Sequence, residues 1–322
     1  MTKNILVVGE FNQDGLSETT AELLTGASSL SSGGSVSIVL LGAGSQEKAQ
    51  SSFSYGATKA YTIDNESFSE FLPDKWAIAV NDIYEKEKPD LILLEQSTVG
   101  RDLGPRLAFK LNSAVAMDCV SIESDDAGFK ATRPCFGGNA RATYSYSASP
   151  AVATVRAKSF EAKTQGNENG EVVQIDLAAD SKVSVINREE VATEGLKLTD
   201  APIVLCGGRG LGGPEGFDMI QELANVIGTD KAAIGSSRAA CDLGWYPVAN
   251  QVGLTGKVVN PDLYVGIAVS GASQHMAGCS GSKSIIAINK DPEANMFKSA
   301  RWGIVGDYKE VVPALIEAIK SS

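Results

Sequence analysis

Short apolar runs alternate along this chain with longer stretches whose apolar positions recur every three or four residues. Ile5–Val8, Val36–Leu41, Lys59–Ile63 and 91–94 have the length and composition of buried strands. Between them, 17–24 reads as a helix with Ser17 as its cap and Glu22 close behind. Residues 75–84 are amphipathic, and Pro89-Asp90 then leads into the fourth strand. A helix over 104–111 and a strand over 115–122 follow. Strands alternating with helices predict a mostly parallel sheet with helices on its faces.

The rhythm changes near Phe129. Residues 130–133, 140–147 and 151–157 read as short strands without helices between them, which predicts an antiparallel edge or extension. A polar stretch from Lys158 to Asp200 follows, with one further strand at 183–186. The alternation then restarts, with strands at 202–205, 231–234, 263–270, Ser284–Asn289 and 304–306. Helices are expected at 214–227, with Pro214 in its first turn, and at 308–319. The fold class is therefore α/β in two domains, each a mostly parallel sheet flanked by helices. The expected division is an N-terminal α/β domain at 1–186, a linker at 187–200 and a ligand-binding domain at 201–322.

Composition narrows the function. With 39 acidic against 28 basic residues the net charge is −11, which disfavours nucleic acid or an acidic membrane surface as partner. The apolar runs fall short of the ~20 residues of a membrane span. The opening M-T-K-N-I-L-V-V enters a strand at once, so no signal peptide is expected. Five cysteines without a CxxC pair argue against a disulfide framework or a cysteine-rich metal site, and reduced thiols fit a cytoplasmic location.

The candidate chemistry lies in four turns of the second half: C-G-G-R-G, G-S-S-R-A-A, S-G-A-S-Q-H and I-N-K-D-P. Each follows a short apolar run. Ligands of open parallel sheets bind beyond the carboxyl ends of the strands, so the four turns together describe one site. Glycine turns expose backbone N–H groups that suit anions, and Arg209, set between glycines, can stack on a ring. No G-x-G-x-x-G follows the first strand, and no P-loop or G-x-S-x-G elbow is present. The only histidine of the chain, His275, stands in V-S-G-A-S-Q-H-M-A-G.

These residues carry a family resemblance. V-L-C-G-G-R-G-L (204–211), G-S-S-R-A-A-C-D (235–242), N-Q-V-G-L-T-G-K (250–257), L-Y-V-G-I-A-V-S-G-A-S-Q-H-M-A-G (263–278), I-A-I-N-K-D-P-E-A (286–294) and G-I-V-G-D (303–307) resemble the α subunit of electron-transfer flavoprotein. The first half is similar through D-L-I-L-L-E-Q-S-T-V-G-R-D-L-G-P-R-L-A (90–108) and T-R-P-C-F-G-G-N-A (132–140). The resemblance implies a Rossmann-like C-terminal domain binding FAD. It places Arg209 over the isoalloxazine ring and Ser237 against the cofactor at the second turn. Val252, Gly253, Leu254 and Thr255 pass along the flavin, with the Thr255 hydroxyl near N5. Ser270, Gly271, Ala272, Ser273, Gln274 and His275 wrap the ring edge and the adjoining ribityl and phosphate groups. Asn289, Asp307 and Tyr308 hold the adenosine end. Leu254 departs from the glutamine common in the family.

The same resemblance implies an electron carrier rather than an enzyme with its own small substrate, since the redox chemistry belongs to the FAD. It implies a heterodimer with a β subunit. Electrons would come from flavin dehydrogenases, such as the acyl-CoA dehydrogenases of fatty acid β-oxidation, and pass to a quinone reductase or other acceptor. His275, protonated or donating a hydrogen bond, would stabilise negative charge on the reduced flavin. Two other readings stay open on the residues alone: a flavin- or nicotinamide-dependent oxidoreductase acting by itself, and a nucleotide-binding module without redox function. The donor, the acceptor, and whether the β subunit holds AMP or a second FAD are not written in this chain.

Overall fold

The computed structural model describes residues 2–138, 140–166, 169–187 and 196–321. The chain forms two compact units. Most of the linker expected at 187–200 lies outside the described residues.

The first unit is built on β1 (Ile5–Val8), β2 (Val36–Leu41), β3 (Lys59–Ile63), β4 (Leu91–Glu95) and β5 (Val115–Cys119). A hairpin of β6 (Ser121–Asp125), β7 (Gly128–Cys135) and β8 (Ala140–Ser145) follows, then β9 (Ala151–Val155) and β10 (Glu171–Gln174). Among the described residues, seven strands form one sheet in the order β10-β3-β2-β1-β4-β9-β5. Its paired strands run parallel. Side chains of β1 alternate between its two faces, Ile5 and Val7 in one core and Leu6 and Val8 in the other. The helices α1 (Glu18–Leu30) and α2 (Ser45–Phe53) cover the first face, and α3 (Pro73–Glu87) and α4 (Thr98–Lys110) the second. Ser17 caps α1 by accepting the Thr20 N–H, and Ser97 caps α4 by accepting the Gly100 N–H.

Several expectations are corrected here. The strand at 151–157 is not part of an antiparallel extension: β9 lies between β4 and β5, parallel to both. Its A-V-A-T-V is buried on both faces, as a central parallel strand requires. The single strand over 115–122 divides at Val120 into β5 and β6, and Asp118, at φ 64°, shifts the register within β5. No strand forms at 183–186; Val185 and Ile186 are exposed, and Ser181 is held instead by the Asp74 carboxylate. The polar β10 and α2 escaped the apolar pattern altogether. Residues 135–140, placed by sequence in the 1–186 domain, cluster with the second unit. Gly137 stands there so close to Ser273 that a Cβ would lie 2.8 Å from its carbonyl oxygen.

The second unit has six strands: β11 (Ile203–Gly207), β12 (Ala232–Ser237), β13 (Gln251–Val252), β14 (Leu263–Ile267), β15 (Ser284–Asn289) and β16 (Trp302–Val305). Their order is β13-β12-β11-β14-β15-β16, all pairs parallel. The helices α5 (Glu215–Ile227), α6 (Arg238–Asp242), α7 (Ser273–Met276), α8 (Met296–Ser299) and α9 (Tyr308–Lys320) complete it. Phe217, Ile220, Val312 and Ile316 of α5 and α9 pack one face, while Met276, Cys279 and Met296 cover the other. The strand expected to reach Ser270 stops at Ile267, because Ala268 adopts φ 54°. The chain reverses direction across the sheet between β11 and β14, which fixes where a ligand can sit.

The first sheet has its own reversal between β1 and β4, and buried carboxylates gather there. Glu95 accepts from the Ser17 and Thr20 hydroxyls, and Glu10 accepts from Ser97. Burial, with Glu95 beside it, pushes Glu10 up to about 7. Burial likewise raises Glu95, and it raises Glu22, which accepts the Lys158 N–H, to about 7. These groups hold protons in the folded state that the unfolded chain releases above its ordinary 4.5. Stability therefore falls as pH rises from about 4.5 to 7 and stays at its lower level above that window. Glu95→Gln keeps an acceptor for Ser17 and Thr20 and removes a buried charge. It should raise stability at pH 8 by on the order of 1 kcal/mol and flatten the pH dependence measured by denaturant unfolding. An unchanged profile would contradict this account of the cluster.

Candidate functional site

The loops leaving β11 and β14 meet backbone to backbone. The Gly208 N–H donates to the Ile267 carbonyl and the Gly210 N–H to that of Ala268, at 2.9 and 3.2 Å. A Cβ on Gly208 would stand 2.1 Å from the Ala268 oxygen, so no larger residue fits without moving a loop. Beyond this junction opens a cavity of about 600 Å³. A second double layer forms its far side. The Leu254 N–H donates to the Gln274 carbonyl at 2.8 Å, and a Cβ on Gly278 would fall 2.3 Å from the Gly253 nitrogen.

The structure brings most of the expected site residues to this one cavity. Arg209, Ser237, Val252, Gly253, Leu254, Thr255, Ser270, Ala272, Gln274, His275 and Asn289 line it. Gly271 and Ser273 do not. Gly271, at φ 76°, is packed against the backbone of Met296, and Ser273 faces Gly137. Asp307 and Tyr308 line a separate small cavity of about 170 Å³, which shares Asn289 and Gly210 with the large one. Their side chains serve the fold: Asp307 caps α9 by accepting the Lys309 N–H, and the Tyr308 hydroxyl donates to the Leu211 carbonyl. The Asn289 amide donates to the Val269 carbonyl and its oxygen accepts the Asp291 N–H, tying two of the loops together.

Two cations line the cavity with different freedom. Arg238 pairs with Asp242 at 3.4 Å, whereas the exposed Arg209 side chain has no hydrogen bond or ion pair among the described residues. The Thr255 hydroxyl accepts from the Gln251 side-chain amide at 2.9 Å, which leaves its own proton for another acceptor. Gln251 is buried and was not among the expected residues, although it stands inside N-Q-V-G-L-T-G-K; a polar residue in a two-residue strand gives no periodic signal.

Two buried polar atoms of the lining residues, Ser237 Oγ and His275 Nδ1, have no hydrogen-bond partner among the described residues. Such atoms are costly unless a ligand satisfies them. His275 is 8% exposed, and its Nε2 lies 2.8 Å from the Tyr264 hydroxyl. Burial lowers its pKa to about 4, with the nearby Val252 carbonyl acting the other way. The imidazole is therefore neutral at pH 7. Of the two roles expected for it, hydrogen-bond donation fits this burial and a standing positive charge does not.

Comparison with known proteins agrees with this geometry. Residues 5–180 match the electron transfer flavoprotein domain, and residues 197–280 match the electron transfer flavoprotein FAD-binding domain. The chain is 38% identical over 322 residues to electron transfer flavoprotein subunit alpha of Bacillus subtilis (strain 168), covering 99% of this chain and 98% of that one. It is equally 38% identical over 326 residues to the subunit alpha of Thermoanaerobacterium thermosaccharolyticum, with the same coverage. Lactate dehydrogenase (NAD(+),ferredoxin) subunit LctC of Acetobacterium woodii is 35% identical over 94% of this chain and 73% of its own length. FAD is the cofactor these matches identify.

The cavity fits that cofactor: it offers an unpaired guanidinium, two unsatisfied buried polar atoms and a free hydroxyl proton in one place. Its two layers depend on the contact at Gly278. Gly278→Ala should push the 252–257 loop off the 273–278 segment, lower stability by roughly 1–3 kcal/mol and release FAD. Flavin content after gel filtration and the thermal midpoint check this; wild-type values for both would contradict it.

Proposed function

Because the chain belongs to the electron transfer flavoprotein alpha-subunit family, we propose that it works as half of a heterodimer with a β subunit. In this reading it takes electrons from flavin dehydrogenases, such as acyl-CoA dehydrogenases of fatty acid β-oxidation, and passes them to a quinone reductase or similar acceptor in the cytoplasm. It is a carrier, with no small substrate of its own. The observation that carries the reading is the cavity at the sheet reversal, whose lining leaves Arg209, Ser237 Oγ and His275 Nδ1 without partners among the described residues. No helix among the described residues is long and apolar enough to cross a membrane.

The bound FAD supplies the one- and two-electron chemistry. This chain's residues bind it and set its potential. Arg209 would set a planar cation beside the flavin, favouring its reduced, negatively charged forms. The Thr255 hydroxyl, which accepts from Gln251, would offer its proton to the flavin. His275 would donate a hydrogen bond that stabilises negative charge on the reduced flavin. Ser237, at the end of β12, and Ser270, in the loop after β14, would contact the cofactor, and Asn289 ties its loop to Val269. Gly271, Ser273, Asp307 and Tyr308 act through the backbone and packing that shape these loops.

The exposure of the cavity supports a partner. Leu254 is 56% exposed, and Thr255 and Arg209 beside it are exposed too, so this unit leaves one side of its cavity uncovered. Co-expressed with a β subunit, the chain should elute as a one-to-one complex with FAD. In that complex His275→Ala should lower the potential of the first electron. Loss of a hydrogen bond to a charged group costs roughly 1.5–3 kcal/mol, equivalent to about 60–130 mV for one electron. A flavin-loaded chain that accepts electrons from a dehydrogenase without any partner would sink the proposal, as would a His275→Ala complex with the wild-type potential.

A further inference from the structure

Tyr264 stands in β14 with its side chain fully buried on the face that carries His275. Its hydroxyl oxygen lies 2.8 Å from His275 Nε2, with the rings tilted at 59° and 6.1 Å apart, so the contact is a hydrogen bond and not a stack. Two thiols complete the surroundings. Cys206 Sγ is 4.0 Å from Nε2 and also 4.0 Å from the Gly207 carbonyl, and Cys279 Sγ is 3.7 Å from the His275 carbonyl.

A neutral imidazole has one donor and one acceptor, and the partner of one nitrogen decides which is which. Burial, with the two thiols beside it, holds the Tyr264 hydroxyl well above its ordinary 10, so the O–H is always present. Nε2 is the strong acceptor within its reach; sulfur is a weak one, and each thiol hydrogen has a backbone carbonyl to serve. The opposite arrangement, Nε2–H donating to the tyrosine, would leave the tyrosine proton facing sulfur alone. It would also leave Nδ1 as a bare buried lone pair without a donor.

We propose that Tyr264 is a positioning residue that fixes neutral His275 in the Nδ1–H form, so that the ring offers the flavin a donor and never a lone pair. This rests on the reading that His275 serves bound FAD. The role differs from simple packing. A phenylalanine at 264 would keep the ring volume and lose the tautomer preference, and the Nε2–H form would turn a lone pair toward the reduced flavin's negative charge.

The test uses the FAD-loaded heterodimer with 15N-labelled histidine and long-range 1H–15N correlation. His275 is the only histidine of this chain, so its signals are those lost in His275→Gln. Wild type should show a protonated Nδ1 and an unprotonated Nε2. In Tyr264→Phe both shifts should move toward averaged values, and the flavin potential should fall toward that of His275→Gln. Should Tyr264→Phe fail to fold, 3-fluorotyrosine placed at 264 strengthens the donor without changing the shape, and the Nε2 shift should move toward the protonated value. An Nε2–H ring in wild type, or an Nε2 signal indifferent to the 264 side chain, overturns the role of Tyr264. A potential unmoved by His275→Gln overturns instead the reading of His275 on which it rests.

Discussion

Everything at the cavity depends on loops that touch through their backbones. The carboxyl ends of β11 and β14 are joined by N–H to carbonyl bonds at Gly208 and Gly210, with no room for a side chain at Gly208. The 252–257 loop is pressed on the 273–278 segment in the same way at Gly278. Close backbone contact removes the slack that side chains would allow. It holds the groups lining the cavity in fixed places before a cofactor arrives, and preorganised dipoles are what make a small number of polar groups effective on a redox centre.

Against that rigid frame the polar lining divides into groups used by the fold and groups kept back. Asn289, Asp307, Tyr308 and Arg238 have partners within the protein. Arg209, Ser237 Oγ and His275 Nδ1 have none among the described residues. Folded proteins rarely bury polar atoms without partners, so Ser237 Oγ and His275 Nδ1, with the exposed Arg209 beside them, are the groups a ligand would complete. The neutral state of His275 follows from the same burial. In the proposed role it would act on a flavin as an oriented dipole supported by Tyr264, which a change in surrounding pH near neutrality would not alter.

Much of this was legible in the sequence, for identifiable reasons. β2, β3 and β15 match their expected limits residue for residue, because buried parallel strands are apolar on both faces and end in turn residues. Local pattern does not report strand order, so β9 was expected outside the sheet in which it lies between β4 and β5. Polar elements such as α2, with its S-Q-E-K-A-Q-S-S-F, and β10 are held by tertiary packing and leave little trace in apolar periodicity. The site was visible as glycine-bearing turns after strands. Gln251 and Tyr264 were not, since a buried tyrosine in a strand reads as core and its hydroxyl acts on a residue eleven positions away.

The central claim is that FAD is held by the 252–257 and 270–278 loops against the β11 junction. Amide hydrogen exchange, compared between FAD-loaded and FAD-stripped heterodimer, tests it most directly. Protection on loading should concentrate in residues 207–212, 236–238, 252–257 and 270–278, with the first unit's sheet unchanged. Protection centred instead at the carboxyl ends of β1 and β4, or none in the 252–257 and 270–278 loops, would contradict the account.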